Sequence, residues 1–190
     1  ISRAKELGMD SLAITDHGVL YGIITFYHEA KEAGIKPILG CEVYVAPKER
    51  QSRLAVDKSP YHLVLLAKDE TGYHNLLEVA TAAQLEGFYY KPRVDKELLS
   101  KHREGLIALS SCPHGELGRL IVEDRLEDAE RAALWYKDVF SDFYLELQEH
   151  AIPELALINK ELLRLSRKLH IPLVATNDVH YVNKDDAYAH

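Results

Sequence analysis

Four apolar runs in this chain end directly in clusters of metal-seeking side chains, and that recurrence limits the available folds more than any other feature. "SLAIT" (11–15) leads into Asp16, His17 and Gly18, and "GLIALSS" (105–111) leads into Cys112. "DFYLELQEH" (142–150) closes on His150, and "IPLVATND" (171–178) runs through Asp178 to His180. Segments with apolar residues at helical spacing separate these runs, so strand and helix alternate along the chain. The alternation predicts an α/β layer fold with mostly parallel strands, open or closed into a barrel. Functional groups in such folds gather at the carboxyl ends of the strands, which is where the clusters fall.

The remaining elements follow from periodicity and punctuation. Ile1, Ala4 and Leu7 mark a first helix stopped by Gly8, and a second runs over about 21–33 to Gly34. "KPILGCEVYVAP" (36–47) is rich in strand formers, 46–60 is a polar loop or lid, and "HLVLLAK" (62–68) is a buried strand. Helices are expected over 70–86, 95–101, 115–123, 126–140 and, after Pro153, 153–169, with 87–95 irregular. At 190 residues the chain suits one domain, burying roughly 70% of its unfolded surface.

Charge narrows the partners. Lys plus Arg is 23 against 30 for Asp plus Glu, a net charge of -7, the wrong sign for gripping nucleic acid over a broad face. Phosphate must then be held locally, and divalent metal ions are one way for an acidic protein to do it. The longest apolar runs, such as "LVLLA" (63–67), are too short to span a bilayer, so no membrane partner is expected. The two cysteines, Cys41 and Cys112, form no C-x-x-C, which points to a reducing cytoplasm rather than a disulfide framework. Ten histidines are the anomaly.

Asp16, His17, Cys112, His150, Asp178 and His180, with Glu42 and His62 in or beside two further strands, mix imidazole, thiolate and carboxylate in the way Zn or Mn sites do. In "VATNDVHYV" (174–182), Asp178 and His180 share a face if the segment is extended. Asp16 and His17 cannot both point inward. His17 is the preferred ligand, with Asp16 orienting an imidazole, while "TDHG" is equally readable as a plain turn. Glu42 in an apolar strand is costly unless paired or metal-bound, whereas Cys41, facing the other way, packs as a small apolar residue. His62 starts its strand instead of ending it, and is also readable as a hydrogen-bonded strand start. Cys112 is preferred over His114, which is expected to enter the next helix. His28, His74, His102, His170 and His190 fall on helices or helix ends and are left out of the site. "GFYYKPR" (87–93) could stack a base and hold a phosphate, or be a packed aromatic turn. No G-x-S-x-G, P-loop or G-x-G-x-x-G is present, so metal-assisted phosphoester hydrolysis leads over a thiol hydrolase built on Cys112 and His150.

"ITDHGVLYG", "KPILGCEVYVAP", "YHLVLLAKDETGYHNL", "EGFYYKPRVDKELL", "GLIALSSC", "FYLELQEH" and "PLVATNDVHYV" together resemble the PHP (polymerase and histidinol phosphatase) domain of the bacterial DNA polymerase III alpha subunit. The resemblance implies a distorted seven-stranded βα barrel, here lacking its first strand with the H-x-H motif that opens the family pattern. It implies metal ligands at His17, Glu42, His62, Cys112, His150, Asp178 and His180, holding divalent ions, Zn or Mn or alternatively Mg, up to three in a complete domain. Among these, Asp178, His180 and Glu42 would also serve catalysis. The implied role is 3′–5′ proofreading hydrolysis at a DNA 3′ end, or else a catalytically degenerate docking module. The implied partners are polymerase modules of the same, much longer chain and other replicase subunits. A free-standing phosphatase of the histidinol phosphate type ranks last, because "GFYYKPRVD" and "ETGYHNLLEVATAAQLEG" resemble the polymerase branch.

Overall fold

The structure, a computed structural model, describes residues 1 to 189; His190 lies outside them. Strands β1 (Ser11–Ile14), β2 (Lys36–Val45), β3 (Tyr61–Ala67), β4 (Arg93–Val94), β5 (Leu106–Leu109), β6 (Asp142–Gln148) and β7 (Leu173–Thr176) form one sheet. Its order is β1-β2-β3-β5-β6-β7, with the short β4 pairing to β2. Helices α1 (Ser2–Glu6), α2 (Ile23–Glu32), α3 (Glu70–Leu85), α4 (Lys96–Lys101), α5 (Glu116–Val122), α6 (Leu126–Val139) and α7 (Pro153–Leu169) intervene. The sheet curls into a half-barrel, with β1 and β7 at the two ends of the path.

Strand direction departs from the expectation of a mostly parallel sheet in one place. β3 is antiparallel to both β2 and β5, while β1–β2, β2–β4, β5–β6 and β6–β7 are parallel. An inverted strand has its start where its neighbours have their ends. His62, at the beginning of β3, therefore lies level with the far end of β2, paired with Tyr44 in the register.

Alternation along the strands sorts the side chains between two environments. Cys41, Val43 and Val45, Leu63 and Leu65, Ala108, and Phe143 and Leu145 join one core cluster with helix residues such as Leu76, Val79, Leu117, Ile121, Tyr136, Ile158 and Leu162. Each fully buried aliphatic side chain there contributes roughly 1.5–3 kcal/mol. The opposite face carries Glu42, Val64, Leu66, Ile107, Leu109, Tyr144 and Glu146, which line a cavity of about 660 Å³ inside the curl together with β1 and β7. A smaller cluster of Ala4, Ala30 and Ile35 joins α1 to α2.

The helices are fixed at their ends by local chemistry. The Asp69 carboxylate accepts from the Gly72 N–H at 2.9 Å to cap α3, and Asp95 caps α4 through the Leu98 N–H at 2.9 Å. Gly72 also allows α3 to approach the turn before β5, since a Cβ there would lie 1.8 Å from the Gly105 carbonyl oxygen. In α7, Pro153 opens the helix, and Leu155, Ile158, Leu162 and Leu165 form its buried stripe.

The polar segment 46–60, readable from sequence as a mobile lid, is tied down. Arg93 is fully buried, and its guanidinium donates to the carbonyls of Gly87 (3.0 Å), Arg50 (2.7 Å), Ser52 (2.7 Å) and Asp57 (3.4 Å). Asp57, also fully buried, accepts from the Ser52 hydroxyl at 2.6 Å and the Leu54 N–H at 2.7 Å. Arg50 adds ion pairs to Glu86 at 2.6 Å and Asp95 at 3.0 Å. Arg93→Met takes the guanidinium donors from all four carbonyls, although Gly87 keeps the backbone N–H of residue 93 at 3.3 Å. The expected outcome is a loss of about 2–4 kcal/mol in chemical denaturation, with hydrogen exchange accelerating selectively in 46–60. Unchanged exchange in that segment would contradict the clamp.

Candidate metal centre

Glu42 sits on the inner face of β2, and its backbone is held by the strand end before it: its N–H donates to the Asp16 carbonyl at 3.0 Å and its carbonyl accepts from Gly18 at 2.9 Å. These bonds prolong the β1–β2 pairing into the "DHG" loop and set His17 opposite Glu42. Gly18 has a φ of +67°, and a Cβ there would lie 2.7 Å from Pro92 and 3.1 Å from the Tyr44 ring, so glycine lets the "YYKP" segment close over this loop. The start of β3 is stapled similarly, with the His62 N–H donating to the His114 carbonyl at 3.1 Å.

These anchors bring Glu42, His62 and Cys112 together, with one ligand atom from each lying within 4.8 Å of the others. His62 Nδ1 is 2.7 Å from Glu42 Oε1 and 3.5 Å from Cys112 Sγ. Oε1 is buried and, among the described residues, makes no aligned hydrogen bond, so the short approach to His62 is an ionic contact off the hydrogen-bonding line. Oε2 accepts only a long bond, 3.5 Å, from the Ser111 hydroxyl. Burial works to raise the Glu42 pKa, but His62, His17 and His180 overcome it and hold the carboxyl below its usual value of 4.5. Burial likewise opposes protonation of His62, yet Cys112 and Glu42 prevail and push it up to about 9.

His17 and His180 flank this triad. His17 Nδ1 stands 3.2 Å from the Tyr44 hydroxyl and 3.4 Å from Glu42 Oε1, and its tautomer decides whether it donates to that hydroxyl or accepts from it. His180 Nδ1 donates to the Asp178 carbonyl at 2.8 Å. The two Nε2 atoms face each other at 3.4 Å, a separation that a proton on one ring or a cation between them can bridge. The separation matches the edge of a tetrahedron with Zn–N bonds of 2.0–2.1 Å, about 3.3 Å. The orphaned carboxylate oxygen, the opposed imidazoles and the thiol are a donor set that fits a borderline-soft divalent cation.

Not every sequence-predicted ligand converges. β6 ends at Gln148, and His150 lies in the following bend, where its ring makes no hydrogen bond, ion pair or ring contact with the other six among the described residues. β7 ends at Thr176, so the alternation that was to align Asp178 with His180 does not extend to them. Asp178 has a left-handed φ of 45°, and both residues reach the cavity wall through this turn. Asp16 also lines the cavity, but among the described residues its carboxylate holds no imidazole; its carbonyl does the work, accepting from Glu42 and from the Cys41 thiol. Cys41 is fully buried in the core, with its thiol pushed up to about 12 by burial. His114 does not enter α5: it lies in the turn before that helix, with its ring 5.4 Å from His62. His28 and His74 are exposed on helices, and His102 and His170 are helix C-caps.

Two further residues belong to the centre. Tyr44, two residues beyond Glu42 on the same face, packs its ring 5.2 Å from His62. Glu146 accepts from the Ser111 N–H (3.0 Å), the Gln148 amide (3.1 Å) and the Thr176 hydroxyl (2.5 Å), tying the ends of β5, β6 and β7 together. Burial raises its pKa despite these donors. The signal was present in "FYLELQ", where Glu146 and Gln148 alternate with Phe143, Leu145 and Leu147.

A family model described as PHP domain matches residues 1–150. The chain is 52% identical over 192 residues to DNA polymerase III subunit alpha of Borreliella burgdorferi, covering 100% of this chain and 17% of that protein. It is 45% identical over 193 residues to DNA polymerase III subunit alpha of Treponema pallidum (100% and 16% covered). Identity to that of Thermus aquaticus is 48% over 184 residues (95% and 15% covered). The chain thus spans less than a fifth of the length of these relatives. Among solved structures, a Bifidobacterium adolescentis protein provisionally assigned as a metal-dependent phosphoesterase aligns with a TM-score of 0.58 at 14% identity, over 97% of this chain and 82% of that one. An amidohydrolase from Chromobacterium violaceum aligns with a TM-score of 0.55, also at 14% identity, over 94% of this chain and 80% of that one. At that identity the likeness is one of fold.

The raised His62 pKa makes stability without a cation pH-dependent. The folded value, about 9, exceeds the ordinary 6.5, so the contribution is complete below pH 6.5 and is lost as pH rises through 9. In chelator, the urea midpoint should fall between pH 6.5 and 9.5 more steeply in the wild type than in His62→Gln. Equal slopes would contradict the ion pair.

Proposed function

The chain belongs to the PHP domain family, and from that premise we propose that it is the metal-dependent phosphoesterase module of a bacterial replicative DNA polymerase alpha subunit, working in the cytoplasm. The observation that carries this reading is the buried Glu42 carboxylate facing His62 and Cys112, with His17 and His180 opposed beside it. The proposed reaction is hydrolysis of the last phosphodiester at a DNA 3′ end, as in proofreading. The identity of the alpha subunits to which the chain is similar supports a place in replication, beside polymerase modules and other replicase subunits.

Glu42, His62 and Cys112 would hold a divalent cation, Zn or Mn, with His17, Asp178 and His180 completing the ligand set; His150 would have to move inward to join them. Such a cation supplies positive charge against phosphoryl oxygens and acidifies water. The chain's own residues do the rest. Glu42 is kept ionised by its imidazole neighbours, so the centre retains negative charge at neutral pH. Tyr44 and the Asp178 carbonyl hold the outer ring nitrogens of His17 and His180 and aim the two Nε2 atoms into one gap. Glu146 holds the Ser111 and Thr176 backbone regions that lead into Cys112 and Asp178. The inner wall of Val64, Leu66, Ile107 and Leu109 is apolar, which excludes water from one side of the charges and strengthens them.

In the full-length subunit loaded with Zn or Mn, Asp178→Asn and Glu42→Gln should each slow release of the 3′-terminal nucleotide from a mispaired primer by about 100-fold, with metal content measured alongside. Equal metal content and equal digestion in wild type and variants would overturn the catalytic reading.

A further inference from the structure

Around Tyr90 the chain doubles back on itself. The Tyr89 N–H donates to the Lys91 carbonyl at 3.1 Å, and Tyr90 between them takes a left-handed φ of 60°, a costly conformation for a residue with a side chain. The turn pushes the Tyr90 ring outward, where it is 64% exposed. Its base is rigid, because the Arg93 clamp holds both this segment and the loop at 46–60. From that loop Lys58 reaches over the Tyr90 ring at 5.0 Å. On the other side Lys91 lies over the Tyr44 ring at 5.3 Å, and the Tyr44 hydroxyl is 3.2 Å from His17. An exposed aromatic face, two cations and the candidate metal centre thus follow one another along the surface.

The charge around this strip runs against that of the whole molecule. Lys48, Arg53, Lys58 and Lys91 are exposed there. Of the nearby acids, Glu86 and Asp95 are paired with Arg50 and Asp57 is buried near Arg93, which leaves the exposed Glu49 against four cations. The chain carries a net charge of -7, so a local cationic patch set among tyrosines is not a consequence of composition. Stacking surfaces interleaved with phosphate-binding cations recognise single polynucleotide strands without demanding a sequence.

We propose that Tyr90, Lys58 and Lys91 form a ramp that holds the terminal nucleotides of a single polynucleotide strand, Tyr90 stacking on a base and the lysines neutralising phosphates, so that the strand end arrives beside His17 and Glu42. The proposal deepens the hydrolytic reading and rests on it for direction: the end that is delivered is the end to be cut. Lys91 and Tyr90 are positioning residues on this account: among the described residues neither meets a cation ligand, and Lys91 approaches His17 only through Tyr44.

The test uses the full-length subunit in chelator, so that binding is read without hydrolysis. A single-stranded oligodeoxynucleotide of about ten residues, carrying 5-iododeoxyuridine about two nucleotides in from its 3′ end, where Tyr90 is to stack, is irradiated with the protein, and crosslinked peptides are mapped. The expected result is a crosslink within residues 87–93 that falls at least about 5-fold in Tyr90→Ala, survives in Tyr90→Phe, and weakens with salt and in Lys58→Ala and Lys91→Ala. Crosslinks confined to other regions, equal yield in Tyr90→Ala, or equal displacement by poly-glutamate and by unlabelled oligonucleotide would overturn the ramp; the last outcome would point to an acidic protein segment instead. A crosslink that meets these expectations in a subunit that cleaves nothing when cations are restored would leave the ramp standing and remove the hydrolytic reading.

Discussion

An ionised carboxylate buried on the inner face of a strand is the constraint around which the rest of this structure is arranged. Left alone, Glu42 would be expensive to bury. It is kept charged because β3 runs against its neighbours and delivers His62 to the same end of the sheet, while the bonds between the Asp16–Gly18 loop and β2 deliver His17. The same contact is off-line as a hydrogen bond and leaves Oε1 without an aligned donor. A buried carboxylate beside three imidazoles and a thiol is a donor set that suits a divalent cation as well as the His62 proton that neutralises it in the cation's place.

Most of the fold and much of the site are legible in the sequence because two simple periodicities govern them. Alternation in "KPILGCEVYV" separates Cys41 and Val43 toward the helices from Glu42 and Tyr44 toward the interior, and His17 after β1, Cys112 after β5 and His180 after β7 come to the carboxyl ends that the β/α alternation points to, while His150 after β6 does not join them. What escaped follows from information that periodicity does not hold. The direction of β3 depends on which strands neighbour it, so the placement of His62 could not be explained from its position in the run. The positive φ at Asp178 and the early end of β6 at Gln148 depend on loop packing, and with them the placement of Asp178 and the bend holding His150. Arg93 reads as one more cation in "YYKPR", yet it is the buried centre of a clamp whose four acceptors come from residues 50 to 87.

Structure and chemistry divide along the sheet. The outer face and its helices supply stability through Leu65, Val79, Tyr136 and their neighbours, while the inner face and strand ends hold the charged groups. Glu146 joins the two, since its carboxylate ties three strand ends while lying on the inner face. The Arg93 clamp lies at the same end of the sheet, beside the end of β2, and gives the "YYKP" turn a fixed position over Gly18 and Tyr44.

The central claim, that Glu42, His62 and Cys112 clasp one divalent cation, is tested most directly by calorimetric titration of zinc at pH 7.5 in buffers of differing ionisation enthalpy. A cation must displace the proton that His62 holds with a pKa of about 9, so binding is predicted to release at least about one proton, and His62→Gln to lower that count by about one. Zinc binding that releases no proton, or that is equally tight in Glu42→Gln, would contradict the account.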